Sequence, residues 1–143
     1  MGEIDHYLDT SFLVAMLTSE PTGARADKFA RAHAAELVVS DFAAAEFAST
    51  VSRRVRMREW PLEEGRIVLS AFDRWMLTAA NSVEISNADI ALATTFVRRL
   101  DLPLRTPDAV HIATAQRLQA TLVTFDLRMA ANARGLGVPV ADA

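Results

Sequence analysis

Residues 106–126 read TPDAVHIATAQRLQATLVTFD, and this stretch decides the fold. Pro107 suits the first position of a helix, and Ala109, Val110, Ile112, Ala113 and Ala115 carry that helix to about Gln119. A short β-rich run, Thr121–Thr124, follows at once. Leu127–Arg134 then reads as a second helix, stopped by Gly135. Helix, buried strand and helix in close succession is the pattern of a parallel sheet covered on both faces.

The same alternation extends to both ends of the chain. Ile4–Asp9 reads as a strand, Ser11–Leu17 as a short helix, Thr22–Ala34 as an alanine-rich helix and Leu37–Val39 as a buried strand. Ser40 or Asp41 caps a helix to about Arg58. Pro61 opens another, with acids in its first turn and an apolar stripe of Ile67, Val68, Ala71, Phe72, Trp75 and Ala79. Val83–Ile85 is a candidate strand, Ser86 with Asp89 resembles a capping box before a helix over Ile90–Leu100, and Val138–Val140 is a last strand. The expectation is an α/β fold with a central parallel sheet of four to five short strands flanked by helices. No linker or repeat divides residues 1–143, which read as a single domain.

Composition narrows the class. With 51% hydrophobic residues the chain can fill an ordinary core, and with no cysteine it has no disulfide, zinc finger or thiol nucleophile. The net charge of −3 argues against a sequence-blind nucleic-acid coat. Lys28 is the single lysine among 15 cations, so any lysine-dependent mechanism has one candidate. The run Phe12–Leu17 is too short for a membrane span, and acidic Glu3 and Asp5 before it do not suit a signal peptide. A soluble, cytoplasmic protein is expected.

Four carboxylates stand out by position. Asp9 ends the first strand, Glu46 interrupts an apolar helical run, Asp108 lies in a first helical turn, and Asp126 follows the strand Thr121–Thr124. Singly, each is explained by helix capping or solvation. In a parallel sheet with right-handed crossovers, however, strand ends and the following helix starts share one edge, where open α/β sheets bind ligands. Glu46 lies roughly 9 Å into its helix, and its side chain leans back toward that edge. Carboxylates gathered there would repel by up to about 4 kcal/mol per close pair, so the cluster calls for a cation. An oxygen-only donor set selects Mg2+, with Mn2+ as a substitute.

The stretches Tyr7-Leu8-Asp9-Thr10-Ser11, Ala44-Ala45-Glu46-Phe47, Thr106–Ala115 and Leu122–Asp126 together resemble a PIN-domain ribonuclease of the VapC toxin type. The resemblance implies a PIN-like three-layer fold and a metal site formed by Asp9, Glu46, Asp108 and Asp126. It further implies cleavage of RNA phosphodiester bonds, a homodimer and a small antitoxin partner. Asp9 and Asp108 are the expected direct ligands, and Asp126 and Glu46 the holders of metal-bound water or a second ion. Thr10, Ser11 and Thr124 could orient these groups or simply form turns. His111, one turn after Asp108, reads as a satisfied structural histidine, and Arg53–Arg58 as a solvated helix end that could grip RNA. Phe72, Trp75 and Met76 read as core, or as the apolar patch of a dimer.

The expected function is a Mg2+-dependent endoribonuclease, the toxin of a toxin–antitoxin pair. The alternatives are a non-cleaving PIN-like module that binds RNA or protein, and a housekeeping RNA-processing nuclease. A receiver domain would need paired acids and a late lysine, and a haloacid-type phosphatase would need an aspartate where Ser11 stands. Neither pattern is present.

Overall fold

The computed structural model describes residues 4–143. Four strands form one sheet, β1 (His6–Leu8), β2 (Leu37–Ser40), β3 (Asn81–Val83) and β4 (Thr121–Val123). Their order is β3-β2-β1-β4 and every pairing is parallel. Helices α1 (Thr10–Leu17) and α2 (Gly23–Ala32) connect β1 to β2, and α3 (Asp41–Arg56) and α4 (Leu62–Ala79) connect β2 to β3. Helices α5 (Asn87–Val97) and α6 (Thr106–Arg117) lead to β4, and α7 (Leu127–Gly135) follows it.

The three layers follow from strand periodicity. Adjacent strand residues face opposite sides of the sheet. Leu8, Leu37, Val39 and Val123 accordingly join Phe12, Phe47 and Phe72 in one apolar cluster. Tyr7, Val38 and Leu122 join Phe96, Ile112 and Met129 in the other. Both faces of every central strand are thus buried.

Several boundaries differ from expectation. The first strand begins at His6, because Ile4 is exposed, and Asp9 caps α1 instead of extending the strand. β3 spans Asn81–Val83, two residues earlier than Val83–Ile85, because Val38, Val39 and Ser40 pair with Asn81, Ser82 and Val83. Glu84 and Ile85 instead use their backbone for Arg117 and Asp41. Val138–Val140 shrinks to one bridge between Val140 and Leu122; Pro139 has no N–H to extend a ladder. α5 runs from Asn87 to Val97, earlier at both ends than Ile90–Leu100. On α4 the buried stripe is Gly65, Val68 and Phe72, whereas Ile67 is exposed. Gly65 belongs to that stripe because α3 passes close: a Cβ there would meet Val55 Cγ2 at 2.7 Å.

α5 and α6 are tied by a buried charge. Asp89 is fully buried, closes the capping box with Ser86, and receives Arg117 Nε at 2.7 Å and Nη2 at 3.0 Å. The bidentate pair locks the start of one helix to the end of the other.

Candidate metal centre

The strand order reverses direction between β1 and β4, and their carboxyl ends carry Asp9 and Asp126. Both aspartates are helix N-caps. Asp9 Oδ1 accepts from the Phe12 N–H at 3.0 Å and the Ser11 hydroxyl at 2.7 Å, and its Oδ2 from the Thr124 hydroxyl at 2.5 Å. Asp126 Oδ1 accepts from the N–H groups of Arg128 and Met129. The Asp126 N–H in turn donates to Thr124 Oγ1 at 3.0 Å. Thr124 therefore links the two carboxylates, and β1–β4 pairing holds Thr124 in place.

Glu46 and Asp108 reach the same edge from the sides. Glu46 Oε1 accepts from the Thr10 hydroxyl at 2.7 Å and meets His111 Nε2 at 2.5 Å. A carboxylate only accepts, so Nε2 carries the proton. With the imidazole neutral, Nδ1 accepts from the Tyr7 hydroxyl at 2.7 Å, and Tyr7 accepts from Ser40 at 2.8 Å. Ser40, the N-cap of α3, accepts from the Ala43 N–H. A buried chain thus runs from the start of α3 through β1 and α6 to Glu46. Asp108, in the first turn of α6, is 7% exposed, and its nearest cation is Arg105 at 3.8 Å. No hydrogen bond from the described residues reaches its carboxylate.

The charges feel one another. Burial pushes Asp108 above the ordinary carboxylate value; Arg105 opposes this, while Asp126 and Glu46 add to it. Burial also raises Asp9, against the hydrogen bonds from Thr124, Ser11 and Phe12. For Glu46 burial acts upward, but the hydrogen bonds of His111 and Thr10 prevail and hold it below the ordinary value. Even so, no three of these carboxylates bring oxygens within 4.8 Å of one another among the described residues. That spacing suits Mg2+, which keeps several waters and takes one or two carboxylates directly.

The sign for Asp108 follows from linkage. A carboxyl raised in the folded state contributes stability that is full below its unfolded value, 3.8, and lost as pH rises through the folded value. Asp108→Asn removes that loss and gives up only a helix-dipole contact of about 0.3–1 kcal/mol. In EDTA at pH 7 the variant should be more stable than the parent by about 1 kcal/mol, with the gap closing below about pH 4. Mg2+ should raise the melting temperature of the parent more than that of the variant. Thermal melts under these conditions check both; a variant less stable than the parent in EDTA at pH 7 reduces Asp108 to a helix-start residue.

The PIN domain family matches residues 6–135 of this sequence. The chain belongs to that family. No curated relative matches it. Among solved structures it is similar to FitAcB from Neisseria gonorrhoeae, at 17% identity over 96% of each chain with a TM-score of 0.76. It is similar to VapBC2 from Rickettsia felis bound to a DNA fragment from its promoter, at 17% identity over 96% of this chain and 98% of that one, TM-score 0.74. It is also similar to VapC20 of Mycobacterium tuberculosis, a toxin that cleaves the sarcin-ricin loop, at 17% identity over 89% of this chain and 94% of that one, TM-score 0.73. These likenesses establish the α/β PIN fold.

Within this PIN domain, Tyr7, Ser40 and Arg105 are site neighbours that the sequence reading did not single out. His111 is 2% exposed with both ring nitrogens engaged, as a structural histidine should be, yet one of those partners is Glu46. In the arginine run, Arg54 pairs with Glu20 at 2.7 Å and lies over the Trp60 ring, whereas Arg53 and Arg58 are exposed. A positively charged residue three positions before Asp108 was the available signal for Arg105.

Proposed function

We propose that this PIN domain is a Mg2+-dependent endoribonuclease and the toxin of a toxin–antitoxin pair. The observation that carries the reading is the unneutralised negative charge at the β1–β4 edge, where Asp108 is raised by Asp126 and Glu46 and no hydrogen bond relieves it. The donor set is oxygen-only, which fits Mg2+ or Mn2+. When bound, the ion neutralises phosphate charge and makes its water more acidic.

The chain's own residues supply the rest. Asp9 and Asp108 are the direct ligands, with Asp9 held in one orientation by Ser11, Phe12 and Thr124. Asp126 and Glu46 hold water, Glu46 being aimed by His111 and Thr10. The N-termini of α1, α6 and α7 open at this edge, where their dipoles favour a phosphate. Arg105, 77% exposed beside Asp108, is placed to meet the RNA backbone.

Complexes among the structural relatives support a small antitoxin partner. Exposed apolar side chains, Met57, Leu62, Ile67 and Leu77 among them, support a protein partner or a homodimer. No helix among the described residues is long and apolar enough to cross a membrane, and the proposed location is the cytoplasm.

The test is cleavage of single-stranded RNA by purified protein. Cutting is expected with Mg2+ or Mn2+ and not with EDTA. Cleavage undiminished by EDTA overturns the metal mechanism; RNA binding without cleavage in Mg2+ and in Mn2+ makes the chain a binding module.

A further inference from the structure

At the opposite end of β1 from Asp9, three side chains converge that the nuclease reading does not use. His6 opens β1, His33 is the C-cap of α2, and Glu36 immediately precedes β2. The backbone brings them together. Glu36 N–H donates to the His33 carbonyl at 3.0 Å, closing a turn in which Ala35 takes φ 76°. His6 N–H donates to the Glu36 carbonyl at 2.7 Å, in register with the pairing of His6 and Leu37.

We propose that His6, His33 and Glu36 bind a divalent transition-metal ion of the zinc class, at a site separate from the acidic edge. His6 Nδ1 lies 3.1 Å and His33 Nδ1 3.3 Å from the same oxygen, Glu36 Oε2. One ligand atom from each residue falls within 4.8 Å of the other two, the one such group among the described residues. Tetrahedral zinc with bonds near 2.0–2.1 Å sets its ligand atoms about 3.3–3.4 Å apart, close to these separations.

The decisive detail is His6 Nδ1. It is buried and makes no hydrogen bond among the described residues, although a carboxylate oxygen sits 3.1 Å away. A ring nitrogen that close to a carboxylate without a bonding N–H is unfavourable unless a cation lies between them. Burial first, then His33, hold His6 below the ordinary imidazole value, while Glu36 and Asp5 act upward. Its lone pair is therefore available at neutral pH.

Two imidazoles and one carboxylate form a borderline donor set that selects zinc over magnesium, the reverse of the oxygen-only edge. Phe29 packs edge-on against His6 and against the face of His33, restraining both rings. His33 and Glu36 remain about a third and a quarter exposed, leaving a path for the ion and room for water as fourth ligand. Bound there, the ion clamps the end of α2 to β1 and β2.

The test uses the purified full chain in millimolar Mg2+, which occupies the acidic edge, titrated with Zn2+ by calorimetry and with Co2+ by visible absorption. The expected result is one Zn2+ per chain with Kd in the micromolar range or tighter, and the intense visible bands of four-coordinate Co2+. His33→Gln and Glu36→Gln should each weaken Zn2+ binding at least tenfold and leave Mg2+-dependent RNA cleavage unchanged; Asp9→Asn should leave Zn2+ binding unchanged. His33→Gln alters a half-exposed side chain, so it preserves the test if Glu36→Gln misfolds. Absence of binding up to about 100 μM Zn2+ overturns the proposal, as does binding that survives His33→Gln or is lost in Asp9→Asn. Because binding, not cleavage, is measured, failure of the nuclease reading leaves this test intact.

Discussion

Asp9→Asn is expected to lower Mg2+-dependent RNA cleavage at least about 1,000-fold, equivalent to roughly 4 kcal/mol of transition-state stabilisation. Asparagine keeps the shape of aspartate and caps a helix as well, so the N-cap of α1 survives. What disappears is a charge that three donors hold in one orientation. A neutral amide cannot replace that charge as a direct ligand to Mg2+. Initial rates on a fluorescent single-stranded RNA, with circular dichroism to verify folding, decide the matter. A folded variant within tenfold of the parent removes Asp9 from the chemistry.

The largest expected loss of stability comes from Asp89→Ala, about 3–4 kcal/mol. The change strips a bidentate carboxylate from Arg117 in a fully buried position and opens the capping box of α5. Arg117 is 35% exposed and can turn to solvent, which keeps the cost at the lower end for a broken buried pair. For a chain of this size the melting temperature should fall by about 10 °C. Removing the exposed Asp27 carboxylate, paired with Arg31 at 2.8 Å, should cost under about 0.5 kcal/mol. The pH dependence has the opposite sign to that of Asp108. Burial alone would raise Asp89, but Arg117 and the Ser86 hydrogen bonds hold it below the ordinary value. Its contribution is present above the unfolded value and lost as pH falls through the folded one. Urea titrations of parent and Asp89→Ala at pH 7 and pH 3 measure both effects; equal midpoints at pH 7 refute the assignment.

What could be read from the sequence was whatever local chemistry encodes. Ser40, Ser86 and Asp126 announce helix starts through their side-chain caps, and Pro61 and Pro107 through fixed backbone angles. With helix starts located, parallel topology alone carries Asp9, Asp108 and Asp126 to one edge. β3 was misplaced because Val83-Glu84-Ile85 alternates better than Asn81-Ser82-Val83, and only pairing with β2 sets the register. The links around Glu46 were illegible for the same reason. Tyr7 meets Ser40 across 33 positions and His111 across 104, and contacts so distant leave no periodic trace. The His6–His33–Glu36 group escaped notice because it forms at a strand start, a helix end and a turn.

The β1–β4 pairing also imposes an order of events on synthesis. Asp9 lies in the first strand to leave the ribosome, whereas Thr124 and Asp126 follow the last, 117 positions behind in the case of Asp126. At 5–20 residues per second, roughly 6–23 s separate the emergence of the two ends. β1 must wait that long for its neighbour, with β2 its only partner in the meantime. A nascent chain that stops short of β4 keeps Asp9 without the Thr124 hydroxyl that orients it. The polypeptide stays inert on the ribosome making it until almost all of the sequence has been translated.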